Sequence, residues 1–406
     1  MESPSYLFLS APSIKDNYYR PKFDELIRFY AAFVMKQAPG DKVIVVADAE
    51  TIAAIGNRIP RANLLQGAAR DIWIRDHGVI QTKEGIFKTR FRPNYLSAGD
   101  AAYIENGFKN WFGALGFPAT PVNYKIDGGN FCYNGNDRAV VTGRVFSDNP
   151  GLTLEQLEAV ARSMGITELA VLPEEAGDTT GHADGMIKWL SGNVVAVNNY
   201  SDKTFKATVE AVLLDAFPGV TIVTMPWNPT NRYWRSFADG TGVYVNAVTT
   251  SNAIYVPVYG LGSDDAAIAV YRAHADRRVI PVFVSPEIAV MGGAARCLSC
   301  QVYGEPVAAG RIPGAERPSL RIAAVKSRDV RGNRIFVNGR ARSSSGISSV
   351  YYSDGKKTGK ARLRIRNGRW WLVARANRNR ASLKLRVYAF DQKGSFTLQS
   401  KTIRRR

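Results

Sequence analysis

Two short stretches carry residues able to move protons and make bonds. Gly181-His182-Ala183-Asp184 follows the Thr/Gly-rich run Asp178-Thr179-Thr180 and sets one of only three histidines two residues from an acid. Two residues is strand spacing, so in an extended segment His182 and Asp184 face the same side. A proton carrier beside a fixed negative charge suits chemistry on a cationic substrate. The second stretch, Met291-Gly292-Gly293-Ala294-Ala295-Arg296-Cys297-Leu298-Ser299-Cys300, holds two of the three cysteines. An odd cysteine count argues against a disulfide framework. A closed zinc site needs four ligands, and Cys297-x-x-Cys300 has no second close pair. A single working thiol is the sharper reading, with Cys132 and Cys300 structural.

Other segments offer partners. Asp71-Ile72-Trp73-Ile74-Arg75-Asp76-His77-Gly78 reads as a strand end running into a Gly turn, with Asp71 orienting the loop that bears Asp76. His77 reads as a turn residue and His274 as a solvated helix residue. In Thr89-Arg90-Phe91-Arg92-Pro93-Asn94, strand alternation puts Arg90 and Arg92 on one face, an arrangement suited to gripping a carboxylate. Ile126-Asp127-Gly128-Gly129-Asn130 reads as a tight turn, in which Asp127 is equally a turn-former or a site residue and Asn130 is structural.

These segments need a scaffold. Helices are predicted near Pro21 to Lys36, from an N-cap at Asp100, from Thr153 with a capping box completed by Gln156, from Lys203 to Phe217, and after Ser263. Short strands lie between them, including a predicted pair Val243–Ala247 and Ala253–Val258. One helix with two or three strands recurs at intervals of roughly 50–60 residues, longer than solenoid periods. Such a β-rich unit could close into a ring, as propellers do. A doubly wound sheet is the alternative, but no G-x-G-x-x-G follows a strand and no P-loop is present.

The 406 residues suit two domains, and 45% hydrophobic content supports a real core. No apolar run approaches the roughly 20 residues of a membrane span. Met1-Glu2-Ser3-Pro4 lacks the features of a signal peptide, so the expectation is a mature secreted or cell-envelope form, or a cytoplasmic protein if this start is native. The net charge of +19 is not evenly spread: 24 of the 54 Lys+Arg but only 3 of the 35 Asp+Glu lie from Pro318 onward, a net +21 there and −2 in the remainder. The remainder is therefore not a nucleic-acid binder by charge. The expected domains are 1–307, a Gly/Pro/Arg-rich linker at 308–318, and 319–406. The last has seven short alternating strands and reads as a basic immunoglobulin-like sandwich able to meet an anionic surface or polymer.

Taken together, Trp73-Ile74-Arg75-Asp76, Asp127-Gly128-Gly129-Asn130, Gly181-His182-Ala183-Asp184, Tyr244-Val245-Asn246 and Gly292-Gly293 followed by Cys297 form an ordered set. The set resembles the guanidino-group-modifying deiminases (the pentein superfamily), most of all the Porphyromonas-type peptidylarginine deiminases and their agmatine deiminase relatives, over roughly residues 40–305. The resemblance implies a five-bladed α/β propeller. It implies Asp76 and Asp184 as the carboxylates that grip a guanidinium, His182 as general acid/base and Cys297 as nucleophile. It also implies Asn246 as a polar site residue, Trp73 and Asp127 among the substrate contacts, and Arg90 with Arg92 as a clamp on a C-terminal carboxylate. One departure is Arg296, where agmatine deiminases have His before the Cys.

The chemistry agrees with that cast. Two carboxylates can hold a planar guanidinium by charge-assisted hydrogen bonds. Cys297 attacks the central carbon, His182 protonates the departing ammonia, and water cleaves the thiouronium. No metal or organic cofactor is needed. The expected reaction is hydrolytic citrullination of arginine, most of all at a peptide or protein C-terminus. Agmatine deiminase and free-arginine deiminase are alternatives, and so is an inactive binding protein with a polyanion-binding basic domain.

Overall fold

A computed structural model describes residues 5–230, 232–306, 318–326, 329–331, 333–354, 357–364, 367–375, 382–392 and 396–404. Up to residue 303 one plan repeats. The chain opens with β1 (Ser5–Ser10), α1 (Phe23–Met35), β2 (Asp41–Ala47), α2 (Ala49–Ile55) and β3 (Leu64–Gln66), then the four-residue helix α3 (Ile74–His77). The second unit is β4 (Ile80–Thr82), β5 (Gly85–Arg90), α4 (Ala98–Leu115) and β6 (Ala119–Lys125). The third is β7 (Cys132–Tyr133), β8 (Arg138–Thr142), α5 (Arg144–Asp148), α6 (Leu154–Ser163) and β9 (Glu168–Leu172). The fourth is β10 (Ile187–Ser191), β11 (Val194–Asn198), α7 (Lys203–Ala216) and β12 (Thr221–Met225). After the small ribbon β13 (Tyr233–Trp234) and β14 (Phe237–Ala238) comes a fifth, β15 (Val248–Thr249), β16 (Ala253–Val258), α8 (Asp264–His274) and β17 (Arg278–Phe283). The run closes with α9 (Pro286–Ala289) and β18 (Ser299–Tyr303).

In units two to five the first two strands pair antiparallel, and a helical crossover returns a third strand parallel to the second. Parallel neighbours need such a crossover. The first unit obtains its antiparallel partner from the far end of the run, where β18 pairs with β1. Leu7, Leu9, Val43 and Val45 point into one core cluster, while Tyr6, Phe8, Ile44 and Val46 point into another. That period-two alternation is what a strand buried on both faces requires.

The C-terminal part is all β: β19 (Ser319–Ile322), β20 (Val330–Arg331), β21 (Arg334–Arg342), β22 (Ile347–Ser353), β23 (Thr358–Lys360), β24 (Arg362–Arg364), β25 (Arg369–Arg375), β26 (Ser382–Asp391) and β27 (Phe396–Arg404). They form a five-stranded and a four-stranded sheet that share one core, with Val337, Trp370 and Leu372 from one and Val350, Leu385 and Val387 from the other. Tyr388, Phe390 and Phe396 turn the other way and join the core that contains α2. Most of the expected linker, residues 308–317, lies outside the described residues. Among the described residues no helix is long and apolar enough to cross a membrane.

Several local expectations are corrected. The 71–78 segment is not a strand end but contains α3, and the four-residue helix is too short to show a period in sequence. Helix α4 is capped by Ser97, whose side chain accepts from the Asp100 amide, so Asp100 sits inside the first turn. Val243–Ala247 is not a strand: Val243 makes an isolated bridge to Trp227, Tyr244 and Val245 lie in a turn, and Val248 and Thr249 make the pairing with β16 instead. His182 and Asp184 are not in a strand. His182 is extended and caps a 3-10 turn, Ala183–Gly185. The capping box at Thr153 and Gln156 is as expected.

Candidate active site

In four of the five units the stretch between the last parallel strand and the next unit's first strand lines a single cavity; the second unit's stretch stands behind it, against His182, and that unit lines the cavity through Tyr95. Asp76 follows β3, Asp127 follows β6, His182 and Asp184 follow β9, Asn246 follows β12 and Cys297 follows β17. Ligands in α/β sheets meet the carboxyl ends of strands for the same reason: loops there converge without breaking the ladder. The cavity, about 150 Å3, is walled by Trp73, Tyr95, Trp227 and Phe237 and by the acids Asp76, Glu175, Asp178, Asp184 and Asp239. His182 and Cys297 lie among them, and no Lys or Arg is in the lining among the described residues.

The sulfur of Cys297 accepts from Asn246 Nδ2 at 3.1 Å and lies 3.8 Å from Asp184 Oδ2. Asn246 Oδ1 in turn accepts the amides of Arg296 and Cys297 at 3.1 and 3.2 Å, which fixes the backbone beneath the thiol. Burial first, then the charges of Asp184 and Asp76, hold the Cys297 thiol well above its ordinary range. Near neutral pH such a thiol is protonated unless a cation lies beside it.

His182 is 4% exposed, with Nδ1 3.6 Å from Asp76 Oδ1 and Nε2 3.4 Å from Asp127 Oδ2. Burial works against the imidazolium, but Asp76, Asp127 and Asp184 together outweigh it and raise His182 to about 10. Asp76 responds to the same burial in the opposite sense. Its carboxyl is raised to about 7, with His182 pulling it back down. Asp76 Oδ1 is buried and accepts no hydrogen bond among the described residues. A buried carboxylate oxygen without a donor is costly.

Sequence left the role of Arg296 open. Its Nη1 donates to Asp184 Oδ2 at 2.6 Å, and its Nη2 donates to the Phe131 carbonyl at 2.8 Å. It thus locks one oxygen of Asp184 and faces away from the cavity lining. Asp127 starts the Gly128–Asn130 turn, outside the cavity lining, with Oδ2 3.4 Å from His182 Nε2. Asn130 is structural, as expected: its Oδ1 accepts the amides of Thr142 and Ala183. Asp71 accepts from the Trp73 amide at 2.8 Å and so orders the turn before α3. His77 is buried between Phe91 and Phe108, and burial lowers it to about 3; His274 is exposed.

Arg90 and Arg92 are not brought to the cavity lining. β5 ends at Arg90, and Arg92 lies beyond it, donating to the buried Glu105 at 3.1 Å. The same loop reaches the site through Tyr95, whose ring meets Phe237 edge-on at 5.3 Å. Sequence reasoning missed Tyr95, Glu175, Phe237 and Gly129. The Gly128-Gly129 pair was the available signal, since glycine permits close backbone approach.

A Cβ on Gly129 would stand 2.4 Å from His182 Nδ1 and 2.6 Å from Asp76 Oδ1. Gly129→Ala is therefore expected to push these two groups apart, with turnover falling about 100-fold, the scale of a 1 Å misplacement. Steady-state kinetics beside an unchanged circular dichroism spectrum would check this. Full activity in the variant would mean that the two groups need not meet.

The fold is that of structurally known deiminases. It matches the C. jejuni agmatine deiminase with a TM-score of 0.64 at 19% identity, covering 75% of this chain and 95% of that one. It also matches the agmatine deiminase of Enterococcus faecalis with a TM-score of 0.58 at 15% identity, covering 76% and 94%. The chain belongs to the Porphyromonas-type peptidyl-arginine deiminase family, whose family model matches residues 1–302.

Proposed function

We propose that the protein hydrolyses a guanidino group to a ureido group and ammonia. The observation that carries this reading is the unsatisfied buried oxygen of Asp76, set beside His182 in the cavity that also holds the Cys297 sulfur. A guanidinium satisfies Asp76 and Asp184 and brings its own positive charge next to the thiol. That charge lowers the thiol's pKa, so the thiol gives up its proton to solvent and the nucleophile forms when the substrate arrives. The Cys297 sulfur then bonds to the central carbon. Protonated His182 gives its proton to one nitrogen, and ammonia leaves. Neutral His182 takes a proton from water, whose oxygen adds to the thiouronium carbon. The C–S bond breaks and the thiol is restored.

For the substrate's far end, the acid lining supports one reading over the other. Glu175 and Asp178, with no Lys or Arg among the described lining residues, favour a cationic tail, as in agmatine, while Asp239 is already paired with Arg232. A second reading, an arginine at a peptide C-terminus converted to citrulline, is supported by the family description and by Arg90 and Arg92 standing just before Tyr95. We take the five repeated units to form the five-bladed propeller and the two C-terminal sheets to be the immunoglobulin-like domain, with boundaries at 1–307 and 319–406. The pairing of β18 with β1 supports the first, and the shared core of the two sheets supports the second.

Ammonia release from agmatine, free arginine and a short peptide ending in Arg separates the readings. Agmatine is expected to show at least a tenfold higher kcat/KM. A preference for the peptide would favour the clamp, and no turnover of any of the three would leave a binding protein.

Glu175 offers a check on the cavity's electrostatics. Burial raises its carboxyl from 4.5 to about 7, although the Tyr200 hydroxyl donates to it at 2.8 Å. The folded state thus binds this proton more tightly than the unfolded chain. Its contribution to stability is full below about 4.5 and is lost as pH rises through about 7. Glu175→Gln should raise the melting temperature at pH 8 and leave it unchanged at pH 4. An equal shift at both pH values would show that the ionised carboxylate is not the cause.

A further inference from the structure

The five-stranded C-terminal sheet presents arginines to solvent in register. Arg321 pairs with Arg340, Arg340 with Arg369, and Arg369 with Arg364. All four are exposed, so four guanidinium side chains stand in one row across four hydrogen-bonded strands about 4.8 Å apart. Like charges directly opposite one another on a sheet oppose folding. None of the four takes part in an ion pair among the described residues. The arrangement is explained if an anion completes it.

The neighbouring rows add flat apolar surface. Asn338, Trp371 and Arg362 form the next row; beyond it Phe336 faces Val373, and Arg334 faces Arg375. Trp371 and Phe336 are 38% and 39% exposed, and the Arg364 guanidinium lies 5.9 Å from the Trp371 ring. The row of four arginines and Trp371 line a groove of about 710 Å3. No Asp, Glu or Lys occupies an outward position of β19, β21, β24 or β25. The opposite face is committed to the core through Val337, Trp370 and Leu372. Because the four-stranded sheet is the one packed towards α2, this arginine face is turned away from it.

We propose that this face binds single-stranded nucleic acid, with phosphates along the arginine row and bases against Trp371 and Phe336. Arginine alone, without lysine, suits bidentate phosphate contacts and stacking. Exposed aromatics interleaved with cations form a stacking platform that a purely electrostatic partner, such as an anionic vesicle, does not require.

The test uses the full chain and a fluorescently labelled 12-nucleotide RNA, followed by anisotropy. With four phosphates neutralised, the slope of log K against log salt is expected near about −3. Trp371→Ala should weaken binding about tenfold. The double variant Arg340→Gln, Arg369→Gln should weaken it by at least about tenfold. Its melting temperature without RNA should hold or rise, since opposed charges are removed, which separates lost binding from lost folding. Failure to bind RNA at low salt would overturn the proposal. So would affinity indifferent to Trp371→Ala, or equal binding of heparin or anionic vesicles with the same indifference. Guanidine hydrolysis is read separately, so its absence leaves these outcomes unchanged.

Discussion

Cys297→Ala is expected to abolish turnover, lowering kcat by at least about 10^4-fold, while substrate still binds. On the proposed reading a guanidinium is held between Asp76 and Asp184, and the Cys297 sulfur lies in the same cavity, 3.8 Å from Asp184 Oδ2. Its position rests on Asn246, which contacts the sulfur and holds the two amides beneath it. Alanine leaves those backbone contacts in place, so the loss should fall on kcat rather than on the binding constant. A second result follows from the thiol's raised pKa. In the resting protein a neutral alkylating agent should react slowly with Cys297, whereas a cationic amidine electrophile of similar size should react faster by at least about tenfold, because its charge favours the thiolate. Mass spectrometry of acid-quenched enzyme should show the wild-type protein carrying the substrate less one ammonia. Normal turnover by the alanine variant, or no such adduct, would remove Cys297 from the chemistry.

Asp76→Asn is expected to lower kcat/KM by about 10^3-fold with little change in shape. The substitution removes a charge from a residue that is 7% exposed. A hydrogen bond to a charged group contributes about 1.5–3 kcal/mol, so losing the grip on the guanidinium accounts for about 10- to 150-fold. The remainder comes through His182. Asp76 is the largest of the charges that hold the imidazolium, so its loss lowers His182 from about 10 and weakens the proton donor to ammonia. The sign in pH is also set. Asp76 must be ionised to bind a cation, so wild-type kcat/KM should rise with pH through about 7, and the step belongs to the Asp76–His182 pair. In the asparagine variant that acidic limb should vanish. Persistence of the limb would assign it to another group.

Much of this site was readable in order, though not in space. Asp76, Asp127, the pair His182 and Asp184, Asn246 and Cys297 are separated by long stretches, but each lies in a short polar or glycine-bearing segment between apolar runs. Turn chemistry and apolar periodicity are local, so the helices α1, α6, α7 and α8 and the alternating C-terminal strands could be predicted. Elements such as α2 and α3 have too few turns to show a period, and the 3-10 turn at Ala183–Gly185 could not be told from a strand by a two-residue spacing.

Sequence alone determined the ordered cast of acids, imidazole and thiol, the repeating helix-and-strand rhythm, and the concentration of positive charge after Pro318. Only the tertiary structure decided which groups touch. Pairing of β18 with β1 joins residues almost 300 positions apart, and no local preference encodes such a register. It decided that Arg296 serves Asp184, that Arg92 serves Glu105, and that Asp127 meets His182. It also lined up four arginines whose strand positions, read singly, were only alternation. The physical reason is common to all of these. A side chain's charge and size are properties of the residue, but its partner is chosen by long-range packing, which the chain acquires only when its sheets assemble.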